Sequence, residues 1–154
     1  MKIVAKTFID QHLTGTGETA ARTRVTTRDV SVLIDEPLAR HGTNMGLTPT
    51  ETLIASLIGC TNVVASRIAA REGVTFRDMK VEAHAKLDRR GAALEAEIDV
   101  PFPHVALTIT VRSDATPAQL DHIKSELGRY CPIAKILRAA GTTLDETWVQ
   151  LPLT

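Results

Sequence analysis

Residues 48–73 read TPTETLIASLIGCTNVVASRIAAREG and carry the clearest helix signals of the 154-residue chain. Thr48 is a favourable N-cap, Pro49 suits the first helical position, and Glu51 stands where a capping box needs its acceptor. Gly73 is a common residue just past the end of a helix. At about 100° per residue, the apolar side chains of this segment cover most of the circumference, so we expect a long helix that is buried on most sides.

A helix of this length and apolarity has consequences for the assembly. A single domain of this size seldom encloses so long a helix completely, and the residues 48–73 therefore predict that a second subunit covers part of it.

The segments on both sides of this helix read mainly as strands. Partial alternation of β-branched residues over 2–9 and 23–34 predicts an N-terminal antiparallel meander, and strict alternation over 79–87 predicts a half-buried strand. Later strands are predicted at 94–100, 105–111 and 143–151, and helices at 117–130 and from Cys131 to Gly141. This order predicts an α+β protein with a single domain over residues 1–154.

Charge and hydropathy exclude several classes of partner. The 18 basic and 18 acidic side chains cancel and are scattered along the chain, so neither nucleic acid nor an anionic membrane surface is an expected partner. The first six residues lack the apolar core of a signal peptide, and by this reading no run reaches the roughly 18 apolar residues that span a bilayer. We therefore expect a soluble, cytoplasmic protein.

The two cysteines are the candidate reactive groups. Cys60 and Cys131 are 131 − 60 = 71 residues apart, so any contact between them is tertiary. In a reducing compartment they are buried bystanders, metal ligands or a redox pair that cycles. Cys131 precedes Pro132 at the start of a predicted helix, where the helix dipole favours a thiolate, whereas burial on an apolar helix face opposes a thiolate at Cys60. From the residues alone Cys131 is the more reactive thiol, and packing is the commoner role for a cysteine placed like Cys60.

A metal site is not expected. The histidines are not arranged in any of the short spacings that zinc sites use, so a tetrahedral site would require four distant residues to converge. We expect neither a metal nor another cofactor.

Two motifs resemble those of a known family. Residues 48–60, TPTETLIASLIGC, resemble the pattern T/N-P-x-E-x-L-x-A-x-x-x-x-C that opens the central helix of the OsmC/Ohr family, and Tyr130-Cys131-Pro132-Ile133 is similar to its second cysteine motif. The resemblance implies the OsmC-like fold, with antiparallel sheets around a long central helix, in an intertwined homodimer. It also implies a peroxidase in which Cys60 attacks an organic hydroperoxide and Cys131 resolves the product as a disulfide. No bound cofactor is implied, and an external dithiol protein, not identified by the sequence, reduces the disulfide. Apolar alkyl or lipid hydroperoxides are the expected substrates.

The same resemblance implies two charged residues beside the reactive thiol. In the family, an arginine from the N-terminal strands and a glutamate at the opening of the central helix flank it. Arg22 and Arg24 both lie in the matching stretch, with Arg22 slightly preferred. The Ohr-type glutamate position falls on Thr50. Glu51 comes one residue later, nine residues before Cys60 and on the opposite side of the helix, and a capping role accounts for it. Glu51 is thus the weaker candidate for a catalytic role.

Two other functions remain open at this point. A protein of this fold could use its pocket for a small apolar ligand without catalysis, with both thiols as packing. A thiol-based redox sensor would form the disulfide but turn over negligibly.

Overall fold

The computed structural model describes residues 7–153. The chain divides into two compact units, residues 1–53 and 54–154, each with a three-stranded sheet. The prediction of a single domain over 1–154 stays a prediction. Of the strand expected over residues 2–9, residues 2–6 lie outside the described part of the chain, and residues 7–9 are not in a strand.

The first unit contains an antiparallel sheet of β1 (Thr14–Gly17), β2 (Thr23–Thr27) and β3 (Val30–Ile34), in that order. The predicted strand over 23–34 is therefore a hairpin, which turns at Arg28, where φ is 51°. Val30 and Val32 are each 50% exposed, so they are not part of a core in this unit.

The segment after β3 folds around a buried carboxylate. Asp35 is fully buried and accepts hydrogen bonds from the Thr43 hydroxyl at 2.5 Å and from the backbone N–H groups of Glu36, Thr43 and Met45. These four donors hold the pKa of Asp35 down at about 2, the Thr43 hydroxyl contributing most. The buried carboxylate of Asp35 thus holds the loop between β3 and the next helix in one conformation.

The long helix, α1 (Pro49–Arg71), begins in the first unit and continues in the second. Its capping box forms as expected: the Glu51 N–H donates to Thr48 Oγ1 at 3.2 Å, and the Thr48 N–H donates to Glu51 Oε2 at 2.8 Å. Gly73, with φ of 68°, follows the last turn and donates its N–H to the Ala70 carbonyl. The sequence signals at both ends of α1 are therefore confirmed.

Burial of α1 within one chain is confined to one side of the helix. Within the chain only one stripe of its side chains is buried: Leu57, Thr61, Ala65, Ile68 and Ala69. Leu53 and Val63 are 37% and 45% exposed, because the elements of one chain cover a single side of the helix. Burial on most sides, with a second subunit covering part of α1, stays a prediction.

The helix α1 also corrects the prediction that no run could span a bilayer. It is long enough to cross a membrane and has a mean hydropathy of 1.6 over its most apolar window. The core helices of soluble proteins meet the same criteria, and the buried stripe of α1 belongs to the core of the second unit.

The second unit has a mixed sheet in the order β4 (Phe76–Lys86), β5 (His104–Ser113) and β6 (Thr143–Leu151). β4 and β5 are antiparallel, whereas β5 and β6 are parallel, so the prediction of wholly antiparallel sheets is wrong for this pair. Two helices, α2 (Pro117–Tyr130) and α3 (Pro132–Ala139), connect β5 to β6. A connection of that length returns the chain to the starting end of the sheet, which a parallel pair requires. The α+β class is confirmed.

The strand predicted at 94–100 is absent from the structure. Residues 87–103 form turns and a loop instead, in which Leu94 has a φ of 60° and is exposed. The Asp88 N–H donates to the Pro101 carbonyl at 2.9 Å, which closes the loop across its ends. Pro101 and Pro103 have no N–H to offer a ladder, so this segment cannot extend β5.

One core holds the second unit together. Alternate residues of β5, the inner faces of α2 and α3 and the stripe of α1 are packed in it, and Cys131 is among them. Cys60 is half-buried and packs against this core from α1. The core therefore places both cysteines of the chain next to the same set of side chains.

Candidate thiol site

The structure brings the two cysteines together. Both are free thiols, and Cys131 Sγ lies 3.1 Å from Cys60 Sγ, with the Cys131 thiol as donor. Cys60 comes from the middle of α1, and Cys131 from the junction of α2 and α3. The tertiary contact that the sequence left open therefore exists.

Local chain geometry fixes the position of Cys131. Its N–H donates to the Leu127 carbonyl at 3.0 Å and ends α2, while its sulfur accepts from the Ala134 N–H at 3.5 Å and caps α3. Pro132 occupies the first turn of α3, as the sequence indicated. Cys131 is 0% exposed, so this sulfur is reached only through Cys60 or by a local opening of the structure.

The pKa of Cys131 contradicts the expectation that the start of α3 favours its thiolate. Burial raises it from 9.0 to about 11, and the adjacent Cys60 sulfur adds to the increase. The N–H groups of Ala134 and Ile133 act in the opposite direction, as expected for a helix start, but they are outweighed. Desolvation therefore dominates over the helix dipole, and the Cys131 thiol keeps its proton at neutral pH.

Cys60 faces an open groove of about 610 Å³. Its lining is apolar apart from two arginines and consists of Gly59, Cys60, Val63, Val64, Arg67, Ile68, Arg71, Tyr130 and Pro132. Cys131 is not part of the lining, so a molecule in the groove meets the Cys60 sulfur first. This asymmetry separates an accessible thiol from a buried one directly behind it.

A charged cluster around Glu126 adjoins the groove, whose lining includes Arg71 and Tyr130. Glu126 is buried and accepts from Arg71 Nη2 at 2.9 Å and from Arg129 Nη1 at 2.6 Å. The bond from Arg71 is the main reason why the pKa of Glu126 is lowered. Both guanidinium groups also lie over the ring of Tyr130, at 6.0 and 5.6 Å from its centroid. Sequence reasoning missed this cluster, although Arg71 lies at helical spacing from Cys60.

The arginines predicted to flank the reactive thiol lie in the first unit and share a carboxylate. Arg22 and Arg24 both pair with Glu18, at 2.8 and 2.6 Å. Arg22 also donates through Nη1 to the Thr43 hydroxyl at 2.9 Å, which in turn donates to Asp35. The side chain of Arg22 is 21% exposed and that of Arg24 is 44% exposed. Arg22 is thus the more firmly held of the two.

Glu18 was not a candidate from the sequence. The hydrogen bond from Arg24 is the main reason why its pKa is lowered. A tight turn brings it there, since the Glu18 N–H donates to the Arg22 carbonyl at 2.8 Å. The signal that could have revealed it is the short polar stretch between two β-branched runs, which places residues 18 and 22 opposite each other.

Glu51 is committed to the helix cap. Its carboxylate accepts from the Thr48 N–H, and this bond is the main reason why its pKa is lowered. The carboxylate that pairs with the candidate arginines is that of Glu18, and a catalytic role for Glu51 stays a prediction.

Residues 7–153 contain no group of three His, Cys, Asp or Glu side chains that converge as metal ligands would. Fold and site together define an α+β protein with an accessible thiol backed by a buried one.

The family model described as OsmC-like protein matches residues 42–147, and the chain belongs to this family. No curated protein matches the chain in sequence. Solved structures share the fold at low identity. An OsmC-like protein from Mycoplasma pneumoniae has a TM-score of 0.78 at 12% identity, with 93% of this chain and 98% of that chain covered. An organic hydroperoxide resistance protein from Elizabethkingia anophelis has a TM-score of 0.66 at 13% identity, with coverage of 96% and 100%. The organic hydroperoxide resistance protein OhrB of Bacillus subtilis has a TM-score of 0.56 at 16% identity, with coverage of 93% and 98%.

Proposed function

We propose that this protein is a thiol-dependent peroxidase that reduces organic hydroperoxides, with Cys60 as the attacking thiol and Cys131 as the resolving thiol. The observation that carries the proposal is the 3.1 Å contact between an accessible Cys60 sulfur and a buried Cys131 sulfur. Two of the proteins that share the fold are named for organic hydroperoxide resistance, which supports the same function.

The chemistry proceeds in three balanced steps. The Cys60 thiolate attacks the peroxide oxygen, an S–O bond forms, the O–O bond breaks, and the alkoxide leaves and takes a proton to become the alcohol. The Cys131 sulfur then displaces water from the Cys60 sulfenic acid and forms a disulfide. An external dithiol protein reduces the disulfide by thiol–disulfide exchange and is itself oxidised. One hydroperoxide and one dithiol thus give one alcohol, one water and one disulfide, without a bound cofactor.

The proposal assigns Arg22 as the charge that favours the Cys60 thiolate. Two observations support Arg22 over Arg24. Arg22 donates a hydrogen bond to Thr43, whose hydroxyl is bound to Asp35, and the side chain of Arg22 is the less exposed of the two. Arg24 retains the role of fixing Glu18, to which it donates at 2.6 Å.

A homodimer is part of the proposal. The exposed apolar side chain of Leu53 on α1 would be covered by the same helix of a second copy. A cytoplasmic location is also proposed, since the cycle needs a reducing compartment to regenerate the two thiols.

One observation favours a second candidate function, that of a redox sensor. Burial raises the pKa of Cys131 to about 11, so little of this thiol is ionised at neutral pH and the resolving step is slowed. A protein that resolves slowly holds its oxidised state long enough to signal it.

The test is peroxide consumption by the purified protein with a dithiol reductant. Cumene hydroperoxide should be consumed faster than hydrogen peroxide, because the groove that leads to Cys60 is apolar. Cys60→Ser should abolish consumption, and one equivalent of cumene hydroperoxide should remove two hydrogens from the wild-type mass at a Cys60–Cys131 disulfide. Two unmodified thiols after this treatment would refute the enzyme and the sensor together. The disulfide without turnover would identify the sensor.

A further inference from the structure

The side chain of Arg67 is a cation in the thiol groove without a partner in the described chain. The neighbouring Arg71 is held by Glu126 and Glu72 and lies over Tyr130. Arg67 is exposed, lines the groove, and within residues 7–153 forms no ion pair or hydrogen bond. No carboxylate of the described residues lines the groove. The groove thus carries an uncompensated positive charge.

Helix geometry sets the separation of this charge from the reactive sulfur. Arg67 follows Cys60 by seven residues on α1, which is about 10 Å along the axis and close to two full turns. Both side chains therefore lie on the same side of α1. Helical side chains lean towards the N-terminus, so the guanidinium extends back over the preceding turn, in the direction of Cys60.

The surface between the two groups is apolar. Val63, Val64 and Ile68 line the groove beside them. From one end to the other, a ligand in the groove contacts the thiol of Cys60, then the apolar surface, then the guanidinium group of Arg67. The molecule that complements this order carries a hydroperoxide, a short hydrocarbon segment and an anion.

We propose that Arg67 is a specificity residue that binds the carboxylate of hydroperoxides derived from carboxylic acids. The geometry fits a carboxylate and a hydroperoxide separated by up to roughly eight carbon–carbon bonds of about 1.5 Å each. A guanidinium binds a carboxylate with two parallel N–H···O bonds, and the carboxylate takes no part in the reaction. That such an acid is a substrate rests on the proposed peroxidase function; that it binds rests on the groove alone.

The kinetic test compares the 9-hydroperoxide of octadecadienoic acid, in which about eight carbon–carbon bonds separate the carboxylate from the hydroperoxide-bearing carbon, with its methyl ester, both below their micellar concentrations, and with cumene hydroperoxide. Arg67→Gln should raise KM for the acid about fivefold, as expected for a solvent-exposed charge pair, and leave KM for the ester and for cumene hydroperoxide unchanged. Arg67→Lys should retain part of the preference. Added salt should reduce the preference of the wild type for the acid. The matched control is Arg77→Gln, which removes an exposed arginine from β4, outside the groove.

A binding test separates this inference from the peroxidase proposal. Decanoate should slow the alkylation of Cys60 by iodoacetamide in the wild type and in Arg77→Gln, but not in Arg67→Gln, as measured by mass spectrometry; methyl decanoate should slow it equally in all three. This result supports carboxylate binding even if cumene hydroperoxide is not consumed, which would refute the peroxidase function only. Equal protection by decanoate in Arg67→Gln and in the wild type would overturn the inference. The inference would also be overturned if Arg67→Gln changed only the rate of reduction by a protein dithiol, because the guanidinium group would then bind the reductant.

Discussion

The pH dependence of disulfide formation follows from the burial of Cys131. The perturbation is a change of pH from 7 to 10 after Cys60 has been oxidised by one equivalent of cumene hydroperoxide. With a pKa of about 11, only about one Cys131 in ten thousand is ionised at pH 7, against about one in a hundred for an unperturbed thiol of pKa 9.0. The raised pKa therefore slows the resolving step by up to roughly a hundredfold at neutral pH. A more basic thiolate is a better nucleophile, which offsets part of this loss of rate.

The expected result is a resolving rate that increases about tenfold per pH unit from 7 to 10. Burial, the largest cause of the shift, persists after Cys60 is oxidised, so the direction holds in the sulfenic acid form. The assay is single-turnover mixing, an acid quench and mass spectrometry of the disulfide. Cys60→Ser is the control and forms no disulfide at any pH. A rate that levels off by pH 8 would refute the reasoning, because the resolving thiol would then have a lowered pKa, as its place at the start of α3 first suggested.

Three further predictions concern the first unit and the helix start. Arg22→Gln should slow the reaction of Cys60 with cumene hydroperoxide about tenfold in stopped-flow measurements, because it removes the positive charge proposed to favour the thiolate, and Arg24→Gln should slow it less; equal losses would contradict the assignment. Thr48→Ala should destabilise the protein by about 1 kcal/mol in thermal unfolding, because the helix loses its N-cap. Glu51→Gln keeps a capping side chain and should change neither Tm nor turnover appreciably; a large loss of turnover in Glu51→Gln would show that Glu51 is catalytic. The pKa of Asp35 is lowered from 3.8 to about 2, so its contribution to stability is complete above pH 3.8 and is lost as the pH falls towards 2. Asp35→Asn should therefore lower Tm at pH 7 and should lose less Tm than the wild type between pH 4 and pH 2; equal losses in the two proteins would contradict this.

Local signals in the sequence determined which parts of the fold were predictable. The cap at Thr48, the stop at Gly73 and the strand that became β4 depend on neighbouring residues, and the structure agrees with all three. The strand expected at 94–100 is absent because a short alternating segment carries no information on whether it has a partner strand to pair with. The parallel return of β6 was also out of reach, since pairing direction depends on how the intervening helices pack.

In the candidate site, too, features that depend on neighbouring residues were predictable and features that depend on tertiary structure were not. Spacing alone indicated that Cys60 and Cys131 could meet only through tertiary structure, and their contact is a property of the core. The protonation state of Cys131 was misjudged, because the dipole of α3 is visible in the sequence whereas the burial of Cys131 is not. Glu18 was missed because its importance lies in a turn that brings it opposite Arg22.

The double role of Cys131 as the end of one helix and the start of the next has an evolutionary consequence. Serine is a better N-cap than cysteine, its N–H can close α2 in the same way, and its hydroxyl can accept from the Ala134 N–H. The scaffold would therefore tolerate drift from cysteine to serine at this position at little structural cost. Selection for the sulfur has to come from its chemistry, so a lineage that abandons the thiol cycle should lose Cys131 while it keeps the fold.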